Sequence, residues 1–181
     1  NHYLVSSPIG MVCYGLWEDK KLIGVAAYGV TSSASIADSI FGIDNRSHVW
    51  ELRRFALKKG FSKSNLSSEF LSKSLDKISI DKSNIWAIVS FSDENVGHYG
   101  ILYQACNALY VGKTDGGIVA KVDNKIFSGR QLSKIRSLDG VQFLLDKGRH
   151  KYVFILGNKT EKRERRELFR LKIVDYPKLV K

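Results

Sequence analysis

"VSFSDENVGHYGILYQACNALYVGKT", residues 89–114, decides how the chain is read. It opens on apolar strand residues and passes a Ser92-Asp93 pair. Gly97 and Gly100 then fall where the apolar spacing predicts a helix over residues 96–108, with Ile101, Leu102, Ala105 and Leu109 as its buried stripe. A glycine inside a helix costs roughly 1 kcal/mol against alanine. Three apart on one face, the two would let a ligand or a second backbone come close. Capping by Ser92, Asp93 or Asn95 accounts for one polar residue at the strand end but not for the glycines. Functional side chains of open sheets gather at the carboxyl ends of strands. Asp93, Tyr103 one turn beyond Gly100, and His98 and Tyr99 beside the glycines therefore become candidates.

Working outward, "NIWAIVSF" (84–91) is nearly continuous in apolar residues, the pattern of a strand covered on both faces inside a mixed sheet. Upstream, "MVCYGLWED" (11–19) and "KLIGVAAYGV" (21–30) read as a hairpin turning at Asp19-Lys20-Lys21. "TSSASIADSIFGIDNRSH" (31–48) reads as a surface loop of functional length. In "VWELRRFAL" (49–57), strand alternation places Trp50, Leu52 and Arg54 on one face and Glu51, Arg53 and Phe55 on the other. Residues 65–80 form a helix with Leu66, Phe70, Leu71, Leu75 and Ile78 on one side and Ser64 or Asn65 as its cap. Downstream come a hairpin at Asp123-Asn124, a further helix, a strand over "HKYVFILG" (150–157), and a basic amphipathic helix over 160–171. This order gives an α+β fold, α/β-like in places, as one domain over residues 1–181 around a central sheet. "NHYLVSSP" at the start has neither Met nor signal-peptide blocks and is read as trimmed at the front.

The net charge is +11, which concentrates polyanions such as nucleic acid or acidic membrane. From Asp146 onward twelve Lys/Arg stand against five Asp/Glu, so +7 of that charge lies in the last fifth of the chain. Glu161, Glu164 and Glu167 partly neutralise "KTEKRERRELFR", and a solvated helix face is the competing explanation. No stretch nears the roughly 18 apolar residues of a membrane helix. Cys13 and Cys106 fit no zinc or redox spacing; they read as small buried hydrophobes and suit a reducing cytoplasm. The loop carrying Gly60, Ser62, Ser64 and Asn65 precedes a helix and offers backbone N–H groups to an anion such as a pyrophosphate. Arg53 and Arg54 can hold a carboxylate or phosphate, or pair with Glu51.

The order of hairpin, strand 50–58, strand-loop-helix and strand-helix resembles the Gcn5-related N-acetyltransferase (GNAT) fold. That resemblance implies a mixed, mostly antiparallel sheet flanked by helices, with a basic strand-helix extension at the C-terminus. It also implies an acyl-coenzyme A donor gripped by the loop before the first central helix. The family's Gln/Arg-x-x-Gly-x-Gly/Ala loop is absent, and "KKGFSKSNLSS" (58–68) stands in its place. More narrowly, "NHYL", "YGLWEDKKLIGVAAYG", "WELRRFAL", "SFSDENVGHYGILYQACNALYVG" and "HKYVFILG…YPK" resemble the phage Mom-type DNA modification proteins. That family converts adenine in DNA to an N6-carbamoylmethyl form resistant to restriction.

Carried across, the resemblance implies function for His2, Tyr3, Arg54, Asp93 and Tyr103, with His98 and Gln104 as motif residues without assigned roles. It implies DNA and an acyl, glycyl or aminoacyl donor as partners, DNA contacts at Lys151, Arg163, Arg165 and Arg166, and the cytoplasm of an infected bacterium as location. A metal dependence would rest on His2 and Asp93, and two ligands make a poor site without further partners. An acyl-coenzyme A transferase acting on another amine, and a non-catalytic DNA-binding module, stay open as alternatives.

Overall fold

The computed structural model describes residues 11–58, 60, 65–122, 125–128 and 140–177. Asp19 and Lys20 both take positive φ (47° and 63°), the two-residue turn whose twist matches that of paired strands. They join β1 (Met11–Glu18) to β2 (Lys21–Val30) as the expected antiparallel hairpin. The polar stretch after it is not a loop. It contains α1 (Ala34–Phe41), which buries Ala37, Ile40 and Phe41, and a 3-10 turn over Ile43–His48.

β3 (Val49–Leu57) pairs antiparallel with β2, but the register slips: Ala27 faces Arg54 while Tyr28 faces Leu52. Arg53 is thus an extra residue, a β-bulge, and it inverts the alternation beyond it. Trp50 and Leu52 before the bulge, and Phe55 and Leu57 after it, all pack into one core cluster. The strict alternation expected from sequence is therefore wrong, and Arg54 lies on the opposite face from Trp50 and Leu52.

α2 (Leu66–Asp81) buries Phe70, Leu71, Leu75 and Ile78 as its spacing requires. It also buries Ser74, which donates to the Leu71 carbonyl and shares a 2.5 Å hydrogen bond with the Tyr28 hydroxyl. β4 (Ala87–Asp93) is the expected fully covered strand, with Ala87 through Ser90 buried. α3 (Ile101–Ala105), β5 (Leu109–Lys113), β6 (Ile118–Val122), β7 (Lys125–Ser128), β8 (Gln142–Leu145), β9 (Arg149–Ile155) and α4 (Lys159–Glu167) complete the described elements. The turn at 123–124 lies outside the described residues, as do residues 129–139 of the region where a further helix was expected; β8 occupies its described end.

The larger sheet has the order β1-β2-β3-β4-β9-β5, and only β3 and β4 run parallel. The fold class read from the sequence, α+β with a mixed and mostly antiparallel sheet flanked by helices, is the one found. One apolar cluster joins α2 to the sheet through Tyr28, Leu52, Ile88, Tyr152 and Phe154. The other joins α1 through Phe41, Val49, Val89 and Val153. A second sheet, β7-β6-β8, had no counterpart in the sequence reading. Neither cysteine is fully buried as expected: Cys13 is exposed on the edge strand β1, and Cys106 is half-buried.

Candidate active site

β3 and β4 pair through Val49↔Ala87, Trp50↔Ile88 and Glu51↔Val89 and then diverge. Past that point each is hydrogen-bonded only on its far side, β3 to β2 and β4 to β9. The splay opens a cleft of about 790 Å³ lined by the far halves of both strands. That size suits a ligand of ordinary cofactor or nucleobase dimensions. Arg54 from β3, Asp93 from the end of β4 and Tyr103 from α3 all line it. Ser92 lines it too; the residue is 6% exposed and its hydroxyl has no hydrogen-bond partner among the described residues. Ser92 is one of the three residues that the sequence offers as a cap. It is a strand residue with an unmet hydrogen-bonding group at the cleft wall.

The helix expected over 96–108 is shorter and starts later. Asp93 Oδ1 accepts from the Asn95 backbone N–H at 2.9 Å and so caps a 3-10 turn over Glu94–Val96. Gly97 and Gly100 then take left-handed backbone (φ 76° and 74°) on either side of His98-Tyr99, and α3 begins only at Ile101. The glycines are loop residues required by their φ values, not helix residues tolerated at a cost. Gly100 is buried, and a Cβ on it would run into the Tyr152 ring, so the space it leaves is taken by the protein itself. Ile101 and Ala105 are exposed rather than part of a buried stripe.

A network fixes this strand end. The Asn95 amide nitrogen donates to Asp93 Oδ1 at 2.9 Å and to Asp146 Oδ1 at 2.6 Å, while its oxygen accepts from the Lys147 N–H. Arg149 Nε stands 3.7 Å from Asp93 Oδ2. One oxygen of Asp93 is thus fully occupied in holding the turn, and the other faces Arg149. Arg53 donates to the Val30 carbonyl and stands 4.0 Å from Glu51, the structural alternative anticipated for it. Among the described residues no three His, Cys, Asp or Glu side chains gather as metal ligands. His2 and Tyr3 lie outside the described residues.

Behind the cleft, His150 is 3% exposed, with Nδ1 2.7 Å from the Tyr110 hydroxyl and Nε2 3.3 Å from a Glu94 carboxylate oxygen. Burial pushes the imidazole pKa below 6.5, and the Lys113 ammonium holds the Glu94 carboxyl below 4.5. A histidine with a lowered folded pKa binds fewer protons folded than unfolded. Stability is therefore full above about pH 6.5 and is lost as pH falls through the window beneath it. The Glu94 contribution is lost only at lower pH, once its own unfolded value is crossed. The urea midpoint is expected to fall between about pH 7.5 and about pH 5.5. In His150→Gln that slope should flatten, and an unchanged slope would assign the dependence elsewhere. Nothing local in the sequence marked this group, because its members come from β9, β5 and the turn after β4.

Other candidates are more scattered. Ser67, in the first turn of α2, lines the cleft, and Asn65 occupies the N-cap position in left-handed conformation without a side-chain cap. Gly60 takes φ 89°; Ser62 and Ser64 lie outside the described residues. Lys151 donates to Ser39 on the α1 side of the sheet. Arg165 donates to the Leu156 carbonyl and Glu161, and stands 5.9 Å over the Trp86 ring. Arg163 and Arg166 line a shallow surface groove along α4.

The family profile and the curated relative agree with the Mom-type resemblance read from the sequence. The chain is 25% identical over 175 residues to methylcarbamoylase mom of Escherichia phage Mu, covering 91% of this chain and 70% of that protein. Among solved structures, a Bacillus subtilis acetyltransferase in complex with CoA aligns at 16% identity and TM-score 0.48, over 81% of this chain and 78% of that one. An N-acetyltransferase from Staphylococcus aureus Mu50 aligns at 13% identity and TM-score 0.49, over 81% and 68%. The Mom protein family profile matches residues 1–178, and the chain belongs to that family.

Proposed function

We propose that this protein is a DNA-modifying transferase that places a small carbamoylmethyl-type group on the exocyclic amine of adenine. The modification shields DNA from restriction in the cytoplasm of the host bacterium. The observation that carries this reading is the meeting of Arg54, Asp93 and Tyr103, from three separate elements, in one cleft between splayed strands. The amine nitrogen attacks the donor carbon, a new N–C bond forms, and the leaving group departs. Asp93 takes the amine proton, Tyr103 returns a proton to the leaving group, and Arg54 holds an anionic part of the donor. The first turn of α2 beside the cleft offers backbone N–H groups to a phosphate of that donor.

An adenine amine inside a duplex is out of reach, so the base must be turned out toward the cleft. β9 runs from Arg149 at the cleft to Ile155, about 20 Å at the usual rise, before α4 begins. Arg163 and Arg166 on α4 therefore serve flanking phosphates at most. Lys151 and Arg165 are committed to intramolecular partners; Arg149, which lines the cleft and stays 52% exposed beside Asp93, and exposed Lys147 two residues before it are better placed to meet the DNA backbone.

Nucleoside mass spectrometry of plasmid DNA from expressing cells tests the reading. A modified adenine is expected with the wild type, and roughly 10²-fold less or below with Tyr103→Phe. Unmodified DNA together with tight acetyl-coenzyme A binding and no DNA affinity would instead assign an acyltransferase for another amine.

A further inference from the structure

β8 is an edge strand whose four residues are all exposed, and three of them are apolar: Phe143 is 52%, Leu144 44% and Leu145 81% exposed. Its register places Leu145 opposite Ile118, itself 62% exposed, and Phe143 opposite Ala120. Directly opposed residues share a face, so Ile118, Phe143 and Leu145 form one apolar patch in water. Exposed edge strands are normally blunted by charge or proline. Here the charge follows the patch, first Asp146 and then the cations Lys147 and Arg149, both exposed.

The patch is also held rigidly against the cleft mouth. Asp146, the next residue after Leu145, lines the cleft and accepts from Asn95 at 2.6 Å. The two chains that connect the small sheet to the large one cross as backbone on backbone at Gly116 and Gly148; a Cβ on either would run into a main-chain oxygen across the neck. The neck is tied by Thr114 N–H donating to the Arg149 carbonyl and Arg149 N–H donating to the Thr114 hydroxyl, both at 2.9 Å. A stiffly mounted apolar tip, one residue from a cleft that needs an extruded base and two from a cation, has the chemistry of a wedge. Apolar side chains inserted at a base step unstack it, and cations beside them hold the phosphates.

We infer that β8 is the DNA-facing wedge of this protein. Leu145, supported by Phe143 and Ile118, enters the duplex beside the target and occupies space the turned-out base vacates, while Lys147 and Arg149 grip the adjoining backbone. This rests on the DNA-modification reading above and names its docking surface: the small sheet, not α4.

The test uses a duplex carrying 2-aminopurine at an adenine the wild type is found to modify. That analogue lacks the reacting amine, so the complex stops before chemistry. Fluorescence is read with all DNA bound, as judged by anisotropy, so affinity does not enter. A fluorescence rise is expected with the wild type and with Leu145→Met. It should be at least roughly tenfold smaller with Leu145→Ala, matching loss of a buried leucine's contacts. Ile80→Ala, removing another exposed apolar residue (75%) at the far end of α2, should behave as the wild type.

An undiminished rise with Leu145→Ala overturns the wedge. So does a wild type that modifies DNA yet gives no rise, which leaves the DNA-modification reading standing. A wild-type protein that modifies no adenine removes both. A wild-type dimer that Leu145→Ala converts to monomer would reassign the patch to self-association and overturn the inference as well.

Discussion

Asp93→Asn is expected to lower modified adenine in plasmid DNA by roughly 10²- to 10⁴-fold, the usual contribution of a positioned general base. The unfolding midpoint should stay within a few degrees of the wild type. Asn and Asp have the same shape, and an asparagine Oδ1 still accepts the Asn95 backbone N–H that closes the 3-10 turn. What the amide loses is proton affinity, together with attraction to Arg149 at 3.7 Å. That Arg149 side chain is 52% exposed, so the pair contributes little to stability. Asp93→Ala is the poorer test, because it also removes the cap at a cost of about 1 kcal/mol. Mass spectrometry of digested DNA and a thermal melt on the same preparation separate the two effects. Wild-type modification by a folded Asp93→Asn protein would remove Asp93 from the chemistry and leave it as a cap. A melt lowered by ten degrees or more would mean instead that the Asp93–Arg149 contact holds the sheet end together.

The parts of the fold that were legible in the sequence are those whose burial repeats over several turns or residues. α2 shows its apolar face through Phe70, Leu71, Leu75 and Ile78, and β4 shows its coverage as an unbroken apolar run. α1 was hidden because only Ala37, Ile40 and Phe41 are buried in a stretch otherwise made of Ser, Asp and Asn. β8 carries no alternation, since an edge strand exposed on both faces has no inside to mark. For the site, local pattern already marked Arg54, Asp93 and Tyr103 as candidates and the resemblance grouped them, but strict alternation placed Arg54 on the wrong face of β3. The bulge at Arg53 is a property of pairing with β2, and neither strand's own sequence shows it. The Asn95 network and the Glu94–His150–Tyr110 group were illegible for the same reason: each is assembled from distant segments.

Gly100→Ala should be the most destabilising small substitution in the site loop, by about 2–5 kcal/mol, and Gly97→Ala should cost only about 1–2. Both glycines are left-handed, so both substitutions incur the strain of a Cβ at positive φ. Only at Gly100 does the added carbon also meet a filled site. Around Gly97 nothing lies within 4 Å of the built position, whereas at Gly100 the Tyr152 ring and hydroxyl are there. Tyr152 is fully buried, its hydroxyl donates to the Tyr99 carbonyl at 2.6 Å, and Gln104 donates to that hydroxyl at 3.1 Å. Moving the ring breaks the contacts that hold the Gly97–Gly100 loop to the sheet and seat α3, the element that carries Tyr103. Modification should therefore fall in Gly100→Ala even below its melting temperature, and far less so in Gly97→Ala. Urea unfolding of the two variants side by side cancels the shared backbone term and isolates the steric one. Equal midpoints would mean that Tyr152 yields without cost, and the loop would then owe its position to its φ values alone.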